Sequence, residues 1–130
     1  MAKVREVMST MLLTVEPTLE LDEAARQMND RQVGAVLVLT NGLVSGILTE
    51  RDVLRAVATG QVTGTHVAAW MTREPETIGP DESTGHAASV MIHGSFRHLP
   101  VVDDANRPLG IVSIRDLVRV TLDDETPRGA

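Results

Sequence analysis

The chain says the same thing twice. Gly46-Ile47-Leu48-Thr49-Glu50-Arg51-Asp52 returns as Gly110-Ile111-Val112-Ser113-Ile114-Arg115-Asp116, a shift of 64 residues. Upstream, Met8, Thr14, Pro17, Ala24, Ala25, Met28 and Val38 recur as Met71, Thr77, Pro80, Ala87, Ala88, Met91 and Val101, each shifted by 63. One extra residue in a single loop accounts for the difference. A unit of this length buries too little surface to be robust alone. Two tandem copies are therefore expected to form one pseudo-symmetric module. Crevices between symmetric halves are natural ligand sites, so the repeat constrains function as well as fold.

The 130 residues fit one domain of ordinary size, and 42% hydrophobic with 23% charged residues describes a globule rather than a disordered chain. A formal net charge of −6 argues against nucleic acid and against anionic membranes, which both need a positive surface. Without cysteine there is no disulfide, no thiolate chemistry and no cysteine-rich zinc site. The segment Met1-Ala2-Lys3-Val4-Arg5-Glu6 is not followed by an apolar signal core, and no apolar run approaches a membrane span, so the cytoplasm is the expected location. Aromatic residues are limited to Trp70 and Phe96, so a planar ligand would be held mainly by aliphatic side chains and backbone.

Each copy reads strand–helix–strand–strand–helix. Thr14-Val15-Glu16 is extended before Pro17, since a residue preceding proline is pushed out of the helical region. Leu21, Ala24, Ala25 and Met28 then recur at helical spacing, and the copy begins at Ser83, a good N-cap, with Ala87, Ala88 and Met91 on the equivalent face. Ala35 to Leu39 is a buried strand, Asn41-Gly42 supplies a tight hairpin turn, and Leu43 to Leu48 returns. Leu99 to Val102 and Leu109 to Val112 are the matching strands, joined by the longer Asp103–Pro108 turn. Each copy closes with a helix carrying Val53, Leu54 and Val57, or Leu117, Val118 and Thr121. Val4 to Met8 and Val67 to Met71 read as short helical lead-ins. The expectation is an α+β (α/β-like) fold of two tandem β-α-β-β-α repeats packed with pseudo-twofold symmetry. The first repeat with its lead-in covers 1–60, a glycine-bearing linker 61–66, the second repeat 67–122, and a flexible acidic tail 123–130.

The repeated motif puts Thr49 or Ser113 where a strand ends and a helix begins, with Asp52 or Asp116 three residues on. One reading is structural: a capping box, in which hydroxyl and carboxylate satisfy orphaned amides. The other uses the same geometry for a ligand. A helix N-terminus welcomes an anion, a hydroxyl can donate to phosphate, and a carboxylate can accept from the paired hydroxyls of a ribose. Gly46 and Gly110, lacking Cβ, allow close approach of a ligand or of a neighbouring backbone. A hydroxyl, a carboxylate and an arginine at one repeated spacing suit a sugar-phosphate.

These residues resemble a tandem pair of CBS domains, the Bateman module. The resemblance runs from about Val4 to Leu122. It rests on the Gly-hydrophobic-x-Thr/Ser-x-x-Asp motif in both copies, the Thr-Val/Ile-x-Pro start before each first helix, and Arg97-His98-Leu99-Pro100-Val101-Val102-Asp103. It implies a non-enzymatic regulatory module that binds AMP, ADP, ATP or S-adenosylmethionine in the cleft between its repeats and needs no cofactor. On that pattern Asp52 and Asp116 hold the ribose hydroxyls, with Thr49 and Ser113 near ribose or phosphate. Thr14-Val15 and Thr77-Ile78 face the base through backbone groups. Ala35 and His98 line the pockets, alongside Ile47, Pro100 and Ile111. Such modules commonly pair through their helices, so a homodimer acting on a protein partner in trans is expected; a ligand-free interaction scaffold is the alternative.

The halves differ. Arg97-His98 stands where the first repeat has Gly34-Ala35, so phosphate contacts are expected from Arg97, His98, Arg51 and Arg115. For Arg51 and Arg115 a solvated helix face is the competing explanation. His86 and His93, seven apart on one helical face, have zinc-like spacing. They lack an acidic or sulfur ligand at obvious spacing, and no metal is expected. Ser113, His98 and Asp116 invite a nucleophile triad, but nothing resembles a nucleophile elbow. Met8, Met28, Met71 and Met91 read as core filler.

Overall fold

The structure, a computed structural model, describes residues 2–125, with side chains to Leu122. In chain order the elements are β1 (Thr14–Val15), α1 (Leu21–Arg31), β2 (Ala35–Thr40), β3 (Leu43–Thr49), α2 (Glu50–Ala58), β4 (Thr72–Arg73), α3 (Thr84–Gly94), β5 (His98–Val102), β6 (Pro108–Ser113) and α4 (Ile114–Glu125). The two lead-ins are single 3-10 turns, Val4–Glu6 and Val67–Ala69. Helix α4 takes in Asp123–Glu125 of the expected tail, and residues 126–130 lie outside the described residues.

Local chemistry accounts for most boundaries. The stripe Leu21, Ala24, Met28 is the buried face of α1, and Ser83 caps α3 by accepting the His86 N–H at 3.0 Å. Both helices end on a left-handed residue, Gln32 (φ 54°) and Ser95 (φ 59°), whose N–H groups return to the last turn. The β2–β3 hairpin turns through Asn41 and Gly42 at φ 54° and 80°, the positive-φ pair that such a turn requires. The closing helices bury only some of the apolar residues they carry. In α2, Val53 packs against the core while Leu54 and Val57 are exposed and Asp52 and Ala56 are buried; in α4, Leu117 is buried while Val118 is exposed.

Packing divides the chain into two compact units. One comprises Leu12–Pro75 with Ala105–Pro108; the other comprises Met1–Met11, Glu76–Asp104 and the chain from Leu109, as far as these are described. Each lead-in therefore belongs to the unit built on the other repeat.

In the β1–β4 unit the sheet order is β1-β2-β3-β4, with β1 parallel to β2 and the other pairs antiparallel. The lead-in docks by backbone bonds, Val67 N–H to Leu19 O and Ala68 N–H to Pro17 O, both at 2.9 Å. Asn106 joins the same unit through a reciprocal pair with the Val44 backbone, at 3.2 Å and 3.0 Å. The core gathers Val15, Leu21, Met28, Val36, Val38, Leu48 and Val67 among others.

The β5–β6 unit repeats this plan with its outer strands reduced to single bridges, Ile78 parallel to Val101 and Ser9 antiparallel to Ile111. Val4 N–H bonds to Glu82 O at 2.8 Å and Arg5 N–H to Pro80 O at 2.9 Å, the counterparts of the Val67 and Ala68 bonds. Its core gathers Val4, Ile78, Met91, Leu99, Val101, Val112 and Leu117.

Candidate functional site

Side chains alternate across a strand, and directly paired residues share a face. In the β1–β4 unit, Val15, Val36, Val38 and Leu48 point into the core. The register Thr14–Leu37–Ile47–Thr72, together with Ala35 opposite Thr49, therefore lies on the other face. In the β5–β6 unit, Ile78, Leu99, Val101 and Val112 are core, so alternation puts Thr77, His98, Pro100, Ile111 and Ser113 on the opposite side. The strand residues singled out in the sequence thus share the non-core face of their unit. The exceptions are Val15 and Ile78, whose side chains are core, leaving only their main chain for a ligand. Ala35, Ile47 and Pro100 are buried, and Thr14 is exposed.

At the end of that face each unit presents a helix start. The Glu50 N–H, first of α2, donates to Gly34 O at 2.9 Å, and the Ile114 N–H, first of α4, donates to Arg97 O at 2.9 Å. Residues 34 and 97 are thereby pinned against equivalent helix starts, one bare and one cationic. Arg51, Arg97 and Arg115 are exposed and His98 is half-buried.

Both capping boxes are formed. Asp52 Oδ2 accepts the Thr49 N–H at 2.9 Å and the Thr49 hydroxyl at 3.1 Å, while the Asp52 N–H reaches Thr49 Oγ1 at 3.4 Å. Asp116 Oδ2 accepts the Ser113 N–H at 2.9 Å, and the Asp116 N–H donates to Ser113 Oγ at 3.1 Å. The two carboxylates are not equally placed. Asp52 is 6% exposed and its Oδ1 accepts from Arg55 Nη1 at 2.9 Å. Asp116 is 20% exposed at the side chain, and Arg119 Nη1 stands 3.9 Å from its Oδ1. Arg55 and Arg119 were not singled out in the sequence. The signal was available in the Asp-x-x-Arg spacing, which puts both residues on one helix face in both copies.

Gly46 and Gly110 are explained by close approach of backbone, one of the two alternatives the sequence left open. A Cβ on Gly46 would stand 3.0 Å from Thr72 O, and one on Gly110 2.8 Å from Ser9 O. His86 and His93 are exposed on α3, and among the described residues no three His, Cys, Asp or Glu side chains are grouped to hold a metal. Among the described residues no helix is long and apolar enough to cross a membrane.

The sequence model of the CBS domain matches residues 4–59 and again 67–123. The chain is 35% identical over 131 residues to the CBS domain-containing protein YhcV of Bacillus subtilis, spanning 100% of this chain and 93% of that one. A protein with CBS domains from Burkholderia ambifaria shares the fold with a TM-score of 0.89 at 28% identity, over 99% of this chain and 100% of its own. The CBS domain pair of protein MJ0100, in complex with 5′-methylthioadenosine and S-adenosyl-L-methionine, gives a TM-score of 0.90 at 26% identity over 95% and 98%.

Proposed function

Because this chain belongs to the CBS domain family, whose pairs are regulatory modules, we propose that it senses an adenosine-containing ligand, AMP, ADP, ATP or S-adenosylmethionine, and passes the occupancy to a protein partner or to self-association. It does so in the cytoplasm, without catalysing a reaction and without a resident cofactor. The observation that carries the reading is the shared non-core face, which ends in each unit on a helix start with a capping carboxylate. Asp52 and Asp116 take the ribose hydroxyls, Thr49 and Ser113 lie beside them, and the backbone at Thr14–Val15 and Thr77–Ile78 meets the base. Arg97, His98 and Arg115 equip the β5–β6 unit for phosphate; in the other unit the helix start that carries Arg51 is pinned to the bare Gly34–Ala35 pair.

Titration calorimetry of the whole protein with AMP, ATP and S-adenosylmethionine tests this. Saturable heat is expected, and Asp52→Ala or Asp116→Ala is expected to abolish the ligand-dependent rise in melting temperature at its own site. A folded protein that gives no heat at millimolar ligand would overturn the reading.

The second reading is a ligand-free scaffold, favoured by the fact that both capping boxes are satisfied within the chain. On it, each Asp→Ala change lowers stability by ~1 kcal/mol and does nothing else. A homodimer is part of either reading. Its support is the apolar surface left on the closing helices, Leu54 (66% exposed) and Val57 on α2, Val118 and Leu122 on α4. Sedimentation velocity of wild type against Leu54→Glu and Val118→Glu measures it, with a shift to monomer expected.

A further inference from the structure

We infer that occupancy of the Asp52 site is registered by Trp70, through Arg55. The inference rests on the ligand reading above and names how that one site is read out.

Asp52 has little spare capacity. Its Oδ2 takes both the amide and the hydroxyl of Thr49, and that hydroxyl in turn accepts the Asp52 N–H. The other oxygen, Oδ1, holds Arg55 Nη1 at 2.9 Å. A ribose hydroxyl donating to this carboxylate without dismantling the helix cap must therefore go to the remaining acceptor position of Oδ1, directly beside Arg55.

Arg55 has a second partner. Its guanidinium carbon lies 5.7 Å from the centroid of the Trp70 ring. The indole is anchored in turn, with Nε1 donating to Thr65 Oγ1 at 3.3 Å. The Thr65 carbonyl accepts the Leu21 N–H, the first of α1, at 2.9 Å. One guanidinium is thus shared between the carboxylate of the site and the segment Thr65–Trp70 of the same unit. The Arg55 side chain is 59% exposed and free to shift on its own side of the pair, so a ligand arriving beside it on Oδ1 resets the cation over the ring. Among the described residues the β5–β6 unit shows no such device: Arg119 stands off at 3.9 Å from Asp116, and the residue matching Trp70 is Val7.

Trp70 is the only tryptophan, so the relay has its own optical readout. The experiment uses the full chain in an Asp116→Ala background, which leaves the Asp52 site alone. AMP and, separately, S-adenosylmethionine are titrated with calorimetry and Trp70 emission followed on the same samples, exciting at the red edge where adenine does not absorb. Emission is expected to track the calorimetric saturation curve. Arg55→Ala removes the donor beside the ligand on Oδ1, so binding is expected to persist in calorimetry while the emission response is lost. Arg55→Lys keeps the charge but not the planar stack, and its response is expected to shrink while binding persists. Calorimetric binding with flat emission overturns the inference and leaves the ligand reading standing, as does an undiminished response in Arg55→Ala. No heat with either ligand removes the site and the relay together.

Discussion

Gly46 and Gly110 are occupied from two sides. Besides the Thr72 and Ser9 carbonyls, an added Cβ would meet the Met71 sulfur at 2.6 Å and the Met8 sulfur at 2.7 Å. A methionine can swing aside, but the carbonyls belong to the strand pair at β4 and the bridge at Ser9 and cannot move cheaply. Gly46→Ala and Gly110→Ala are each expected to lower stability by ~1–3 kcal/mol by overpacking, read as a lower urea midpoint. Met8 and Met71 themselves pack against the cores of their units. At the surface of the β5–β6 unit, Arg5 Nε donates to Asp81 Oδ1 at 2.8 Å, holding the Asp81 carboxyl below its ordinary range and raising Arg5. With its folded value depressed, Asp81 contributes stability above its unfolded pKa and loses it as pH falls through the folded value. The pair is solvent-exposed, so salt screens it. An NMR titration of Asp81 should show a midpoint below that of an ordinary aspartate, returning toward it in Arg5→Gln.

At the scale of the element, the helix ends carry the clearest latent strain. Gln32 and Ser95 hold left-handed backbone that glycine adopts without a Cβ penalty. Gln32→Gly and Ser95→Gly are expected to gain ~0.5–1 kcal/mol, the relief of the left-handed conformation less the added entropy of the unfolded chain. Thermal unfolding of each variant measures it. The helix starts, the Asn41–Gly42 turn and the long strands were legible in the sequence because each depends on neighbours within a few residues. The faces of α2 and α4 were not. Val53, Leu54 and Val57 are equally apolar in composition, and only the packed structure decides that Val53 meets the core while Leu54 and Val57 do not. Strand β4 was missed for a related reason, since a two-residue strand has no periodicity to read.

At the scale of the whole molecule, repeat boundaries and packing boundaries differ. Val4 is fully buried in the core of the β5–β6 unit, and Ser9 exchanges two backbone bonds with Ile111, at 2.9 Å and 3.0 Å. Val67 holds the matching place in the β1–β4 unit. Val4→Ala is therefore expected to cost about 2 kcal/mol and to be felt mainly in the unit formed with the second repeat. Hydrogen exchange measures this as faster exchange at Ile78 and along β5 and β6, with β2 and β3 retaining their protection. Equal loss in both units would contradict the division.

The sequence by itself determined the duplicated order of strands and helices, the caps, the hairpin turn and the residue types at the candidate site. The duplication is written in a recurrence at 63 and 64 residues, and the rest in spacings of two to four residues, where hydrogen bonding and side-chain periodicity act without help from the rest of the chain. Only the tertiary structure decided which lead-in completes which core, why two glycines face two methionines, and that Arg55 reaches Trp70. Those relations join residues that are not neighbours along the chain, and their energies come into existence only once the backbone has closed around them.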